Sequence, residues 1–158
     1  MKWTNYIISG VLVWILQILT SGFLSIQTIR PDFLVILVLY WSIKNGRFIG
    51  VLYGFLIGLL IDLSGTALFF GLSPLVYSIT GYLAGSLSGY YSKISPVYFS
   101  LCWVAIIAFQ FLIFCGVYYQ DLWFLDRQIF LGKWFGTTFY TLSFTGILQF
   151  IYPLHRLS

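Results

Sequence analysis

The sequence predicts an all-α, polytopic integral membrane protein with six transmembrane helices, and three observations predict it. Of its 158 residues 60% are apolar, 22% aromatic and only 8% charged, whereas about a quarter of an ordinary soluble domain is charged. Mean hydropathy is +0.96. The few charges act as punctuation, leaving charge-free runs over 3–29, 33–43, 48–61, 63–92, 94–120 and 134–155. At about 20 residues per span, six helices use most of the chain. That arithmetic leaves a single transmembrane domain over 1–158 and room for no extramembrane domain.

The first helix is expected over 5–29. Its run exceeds the short apolar core of a cleaved signal peptide, so it reads as a retained first span. The second helix, over 31–44, starts at Arg30-Pro31-Asp32, where proline suits the first turn and a carboxylate meets the positive end of the helix dipole. It stops at the polar turn Lys44-Asn45-Gly46-Arg47, and the third helix follows over 47–63. Both arms are short: 12 steps separate Asp32 from Lys44 and 15 separate Arg47 from Asp62. These are roughly 18 and 22 Å of helix, against a hydrocarbon core of about 30 Å.

Helices four, five and six are expected over 73–92, 97–119 and 134–152. With the turn at Lys44–Arg47 anchored at the inner interface, Asp32 and Asp62 come to similar depth in the outer part of the membrane. Intramembrane acids face protein or an aqueous pocket. The expectation is an outward-facing polar indentation, floored by the second and third helices and walled by the first, fourth, fifth and sixth. The apolar connection 65–72 lies at the outer interface or over the indentation, and 121–133 forms the longest hydrophilic loop.

Lysine and arginine set the orientation. Lys2, Lys44, Arg47, Lys93 and Arg156 fall on one side, and Arg30, Arg127 and Lys133 on the other. The larger set favours both termini in the cytoplasm. Belts of Trp3, Tyr6, Tyr40, Trp41, Tyr90, Tyr91 and Tyr152 at the inner interface, and of Tyr118, Tyr119, Trp123 and Trp134 at the outer one, fit that layout.

Gly50, Gly54 and Gly58 recur every four residues and lead to Asp62; Gly81, Gly85 and Gly89 repeat the spacing in the fourth helix. Small residues at this interval let helix backbones approach closely in lipid. Each seam either packs inside the chain or receives another protein's spanning helix. Gln17, Gln110 and Gln149 are the other polar side chains at membrane depth, where interhelical hydrogen bonds are their ordinary use.

Little catalytic chemistry is written in the chain. Glutamate is absent and the acids are Asp32, Asp62, Asp121 and Asp126. The single histidine, His155, is in the tail. No cluster has metal-ligand spacing, and no phosphate loop, nucleophile elbow or zinc-protease helix is present. Cys102 and Cys115 lie 13 positions apart on one helix, roughly 20 Å along the axis and beyond disulfide reach. No catalytic residue, cofactor or metal is assigned.

The block from 30 to 90 resembles a known family, the bacterial rod shape-determining protein MreD. The matching features are Arg30-Pro31-Asp32-Phe33, the apolar run to Tyr40-Trp41, the basic turn at Lys44–Arg47, the Gly50/Gly54/Gly58/Asp62 helix, and Gly71, Tyr77, Gly81, Tyr82 and Gly85. The resemblance implies a non-catalytic subunit of the cell-elongation (peptidoglycan synthesis) complex of the cytoplasmic membrane. Such proteins work beside MreC, whose single spanning helix would be the direct partner. MreB, RodA and a class B penicillin-binding transpeptidase belong to the larger complex. A similarity in fold to the substrate-binding components of energy-coupling-factor transporters is also implied. The leading expectation is therefore a scaffold that binds the spanning helix of MreC. The alternative is a transporter component with an outward pocket around Asp32 and Asp62.

Overall fold

The computed structural model describes residues 2–20, 22, 29–64, 69–90 and 93–151. Among them are seven helices and no strand: α1 (Lys2–Thr20), α2 (Phe33–Asn45), α3 (Arg47–Leu63), α4 (Leu72–Ser86), α5 (Pro96–Tyr118), α6 (Gln120–Leu125) and α7 (Arg127–Ile151). By length and composition α5 is the one described helix able to cross a membrane alone, and Tyr6–Thr20 and Phe33–Asn45 are shorter apolar helices.

The centre of the molecule is α2. Val35, Val38, Leu39 and Ile43 are completely buried, and Leu34 and Ile36 nearly so. A helix covered on all sides must be apolar all round, which is how 33–43 reads. The second helix is thus the core of the bundle as well as half of a hairpin. Against it pack α1, α3, α4 and α7, and the Phe99, Trp103, Ile107 and Phe111 face of α5, which packs on α4, joins the same core. Gly46 alone separates α2 from α3. Its φ of 86° is open to glycine and strained for other residues, while its N–H donates to the Ser42 carbonyl at 2.8 Å and its carbonyl accepts from Gly50 at 3.0 Å. One residue therefore closes one helix and opens the next.

Several boundaries differ from the sequence expectation. The fourth helix ends at Ser86, not at 92, because the chain turns through Leu87 and through Gly89 at φ 74°; α4 is therefore short, and Gly89 leaves the seam. The last long helix starts at Arg127, not at 134, because Asp126 caps it, accepting from the Gln128 and Ile129 N–H groups at 3.0 and 3.3 Å. Carboxylate capping satisfies orphan donors and favours the positive helix end, so the hydrophilic 121–133 segment is mostly α6 and the start of α7. The first helix runs from Lys2 to Thr20 and does not reach 29: Gly22 stands in a turn and Ile29 outside any helix. Residues 23–28 lie outside the described residues, as do 65–68, Tyr91, Tyr152, His155 and Arg156.

Large apolar side chains cover the outside: Ile7, Leu12 and Leu19 on α1, Phe48 and Phe55 on α3, Leu101 and Phe109 on α5, and Phe139, Ile147 and Phe150 on α7. A surface this apolar is suited to lipid or to a protein partner, not to water.

Candidate functional site

The two glycine seams face each other. A Cβ on Gly50 would stand 2.5 Å from the Gly81 carbonyl oxygen and 2.7 Å from Ser42 Oγ, and one on Gly85 would stand 2.6 Å from the Arg47 Cα. A Cβ on Gly54 would fall on the Tyr77 carbonyl, one on Gly58 on the Pro74 backbone, and one on Gly81 on the Gly50 carbonyl. The five glycines therefore bring α3 and α4 into backbone contact inside the chain. This leaves the seams closed to another protein's helix. Gly89 has nothing within 4 Å of its would-be Cβ.

At the opposite end of α2 from Gly46, side chains do the joining. The first N–H groups of a helix have no partner within it, and in an apolar surrounding each unpaired one costs several kcal/mol. Here all are satisfied. Asp32, the N-cap, accepts through Oδ1 from Leu34 and Val35 at 3.0 and 3.1 Å. Gln17 of α1 accepts from the Phe33 N–H at 2.8 Å and donates to the Pro31 carbonyl at 3.1 Å. The Asp32 N–H donates to Thr141 Oγ1 of α7 at 3.2 Å. Finally Tyr77 of α4 donates its hydroxyl to Asp32 Oδ2. Four helices thus meet at the start of α2.

Beside this junction lies a cavity of ≈ 550 Å³, within the range of small-molecule sites. Asp32, Tyr77 and the exposed Arg30 are on its wall, with Trp14, Gln17 and Thr20 from α1, Gln110, Phe111, Phe114, Cys115 and Tyr118 from α5 and Thr137 from α7. The ends of α1, α3 and α5 and the beginnings of α2 and α4 all reach it. Short α2, α3 and α4 stand against α5 and α7, at roughly 35 and 38 Å for 23 and 25 residues, and the difference in height leaves the space.

Each expected residue now has a place. Arg30 is exposed and Asp32 half-buried at the cavity. Asp62 is 5% exposed and does not line it; its Oδ2 accepts from the Gly71 N–H at 2.5 Å, tying the end of α3 to the start of α4, and its Oδ1 is buried without a partner among the described residues. Gln17 is a capping group. Gln110, 2% exposed, lines the cavity with its Oε1 unpartnered among the described residues. Gln149 is half-buried near the end of α7, away from the cavity.

The expected aromatic belts are partly inside the protein. Tyr6 is buried, donating to Asn45 Oδ1 at 2.8 Å, and Trp41 donates to Ser9 Oγ at 3.1 Å. Trp134 donates to the Ala108 carbonyl at 3.0 Å, joining α7 to α5. Sequence reasoning passed over Tyr77 and Thr141 as junction residues. Tyr77 stood among the features of the resemblance without a role, and the written signal for Thr141 is periodicity: Thr138, Thr141 and Thr145 repeat at three and four residues and are buried on one face of α7.

Residues 1–155 match the family model described as rod shape-determining protein MreD. No curated protein and no solved structure matches the chain significantly. The match takes in the glycine seam, the capped start of α2 and the cavity walls, so the features that organise this fold all fall inside it. The chain belongs to the MreD family, membrane-associated components that determine rod shape.

Proposed function

We propose that this protein is a non-catalytic, multi-pass subunit of the cell-elongation complex that makes peptidoglycan, acting as a scaffold for the spanning helix of MreC. The membership in a shape-determining family carries the reading. It is supported by the use made of the polar groups at the cavity end: Asp32, Gln17, Tyr77 and Thr141 hold the start of α2 in place, so they serve architecture. Six spans, formed by α1 to α5 and α7 as a single transmembrane domain, cross the cytoplasmic membrane with both termini inside. That orientation is supported by Lys44, Arg47 and Lys93 gathering at the Gly46 end, where the positive-inside rule places them. MreB, RodA and a class B transpeptidase complete the larger assembly.

Since the glycine seams are filled from within, MreC must dock on the exposed apolar faces. The test replaces the MreC spanning helix, leaving this chain intact. Native MreC is expected to co-purify in detergent, and MreC carrying an unrelated spanning helix is expected to be lost. Retention of the swapped protein, or no association with either, overturns the reading.

The ≈ 550 Å³ cavity favours a second reading, a substrate-binding transporter component of the energy-coupling-factor kind. It requires saturable binding of a water-soluble ligand by the purified protein, weakened by substitution at Asp32.

A further inference from the structure

The connection between α5 and α7 is polar at its edges and apolar at its centre. Gln120 and Asp121 on one side, and Asp126, Arg127 and Gln128 on the other, are exposed. Between them stands Leu122-Trp123-Phe124-Leu125. At about 100° per residue, four consecutive apolar residues of a helix point in four directions, so α6 is apolar nearly all round. A helix of that kind needs cover on every side. The chain covers one side, where the Trp123 ring meets the buried Phe130 of α7 edge-on at 5.1 Å. Phe124 and Leu125 are left 87% and 82% exposed. The corner holds them there: the Asp126 N–H donates to the Leu122 carbonyl at 2.9 Å while the Asp126 carboxylate caps α7.

The height of α6 follows from the length of α7. Its 25 residues measure roughly 38 Å against a hydrocarbon core of about 30 Å, an excess of about 8 Å. Exposed Phe150 and Ile151 end α7, whereas Arg127, Gln128 and Lys133 gather at its start, so the excess lies at the start. Counting back about 20 residues from Ile151 brings the edge of the hydrocarbon close to Lys133. Phe130 and the α6 packed on it then stand in the head-group layer, about 5–8 Å deep on each side. The basic groups agree with that level, where Trp and Tyr gather and long cationic side chains reach phosphates: the Arg127 guanidinium lies 5.4 Å from the Trp123 ring and the Lys133 ammonium 4.1 Å from the Tyr119 ring. Below α6 the exposed apolar surface continues along α7 through Leu131, Phe135, Phe139 and Ile147, spaced by fours and eights. A water-borne partner could cover α6 but not that row. The bilayer covers both.

We propose that α6 is a lipid-anchoring foot. Phe124 and Leu125 insert among the head groups and first acyl carbons of the leaflet at the cavity end, with Arg127 at the phosphates and Asp121 and Asp126 left at the water. The segment expected as a hydrophilic loop is thus an interfacial contact. It rests on the reading of α5 and α7 as membrane spans. Such a foot fixes the height of the α5–α7 tip, and with it Tyr118 and Tyr119 on the cavity wall.

The test uses the full chain in vesicles of phosphatidylcholine and phosphatidylglycerol in equal parts. Cys102 and Cys115 are replaced by alanine, and a nitroxide is placed on a single new cysteine at Asp121, Phe124, Leu125, Gln128 or Phe139. Collision with oxygen, which concentrates in lipid, is compared with collision with a water-soluble nickel chelate. The ratio of oxygen to nickel collisions is expected to be several-fold higher at 124 and 125 than at 121 and 128, and highest at 139. Ratios at 124 and 125 as low as at 121, with 139 still high, overturn the foot and leave the spanning reading intact. A low ratio at 139 removes the spanning reading and the foot with it. Labels at 124 and 125 shielded from both reagents show a protein cover, and ratios equal to that at 139 show burial in the hydrocarbon; either result overturns the proposal. Gel filtration of each labelled protein checks the fold, and Ile129, exposed at the same level, takes the label should 124 or 125 not tolerate it.

Discussion

Along α3 and α4 one backbone rests on another: Gly50 on Gly81, Gly54 on the Tyr77 carbonyl, Gly85 on Arg47. Around the start of α2, by contrast, α1, α4 and α7 arrive through side chains, with Gln17, Tyr77 and Thr141 spanning the gap. In lipid no hydrophobic drive pulls helices together, so close van der Waals contact and interhelical hydrogen bonds remain as glue. The protein uses each in a different place. Backbone contact gives a dry, rigid pair with no room for anything else. Side-chain bridging holds helices further apart and leaves a cavity beside the bridge. Tyr77 belongs to both regions, its carbonyl pressed by Gly54 and its hydroxyl on Asp32.

The largest effect follows from breaking the dry region. In Gly54→Leu the new side chain meets the Tyr77 carbonyl and the Ser78 N–H, backbone atoms that no rotamer change can move away. Overpacking costs about 1–3 kcal/mol where side chains can adjust, and here it is expected to reach at least the top of that range. The measurable outcome is loss of monodisperse protein on gel filtration and early proteolysis between α3 and α4. Because Tyr77 shifts with α4, the Asp32 junction should loosen too. A normally folded Gly54→Leu protein would show that the two helices can part.

Breaking the bridged region should cost less. Asp32→Ala removes the acceptor of the Leu34 and Val35 N–H groups and leaves the Tyr77 hydroxyl buried without its partner. Loss of a cap costs about 1 kcal/mol and an orphaned buried hydroxyl about 1–3. A fall in stability of about 2–4 kcal/mol is expected in thermal or denaturant unfolding in detergent. Asp32→Asn keeps an acceptor for the cap and should lose no more than about half of that. Equal losses in the two variants would mean that the negative charge, not the capping geometry, holds the junction.

The two regions were not equally readable in the sequence. Glycines at every fourth position announce a close-packing face on each helix, because only helical periodicity aligns them. They do not announce each other, since spacing specifies a face and not its partner; closing α3 on α4 needed the structure. The bridged region hid better. Arg30-Pro31-Asp32 marks the start of α2, yet Gln17 and Thr141 reach it from 16 and 109 residues away, and nothing local to either residue encodes that meeting. The central place of α2 is silent for another reason: a helix buried all round has no polar face to orient it. The early start of α7 turns on Asp126 alone, a single cap within a stretch whose composition reads as loop.

The smallest effect tests the boundary of the comparison. Gly146 lies in the body of α7, exposed, with nothing within 4 Å of a would-be Cβ, so neither backbone contact nor bridging explains it. Gly in a helix interior is about 1 kcal/mol less favourable than Ala, and Gly146→Ala is expected to leave the isolated protein unchanged or stabilise it by up to about 1 kcal/mol. Its melting temperature in detergent gives the first half of the answer. The second half is co-purification with MreC, the partner proposed above: a variant that melts as well as the parent yet no longer holds MreC would mark this outer stripe of α7 as a third kind of contact, a glycine face kept for another chain. A variant that keeps both would place Gly146 against lipid, and the docking face would then be sought on the exposed apolar rows of α1 and α5.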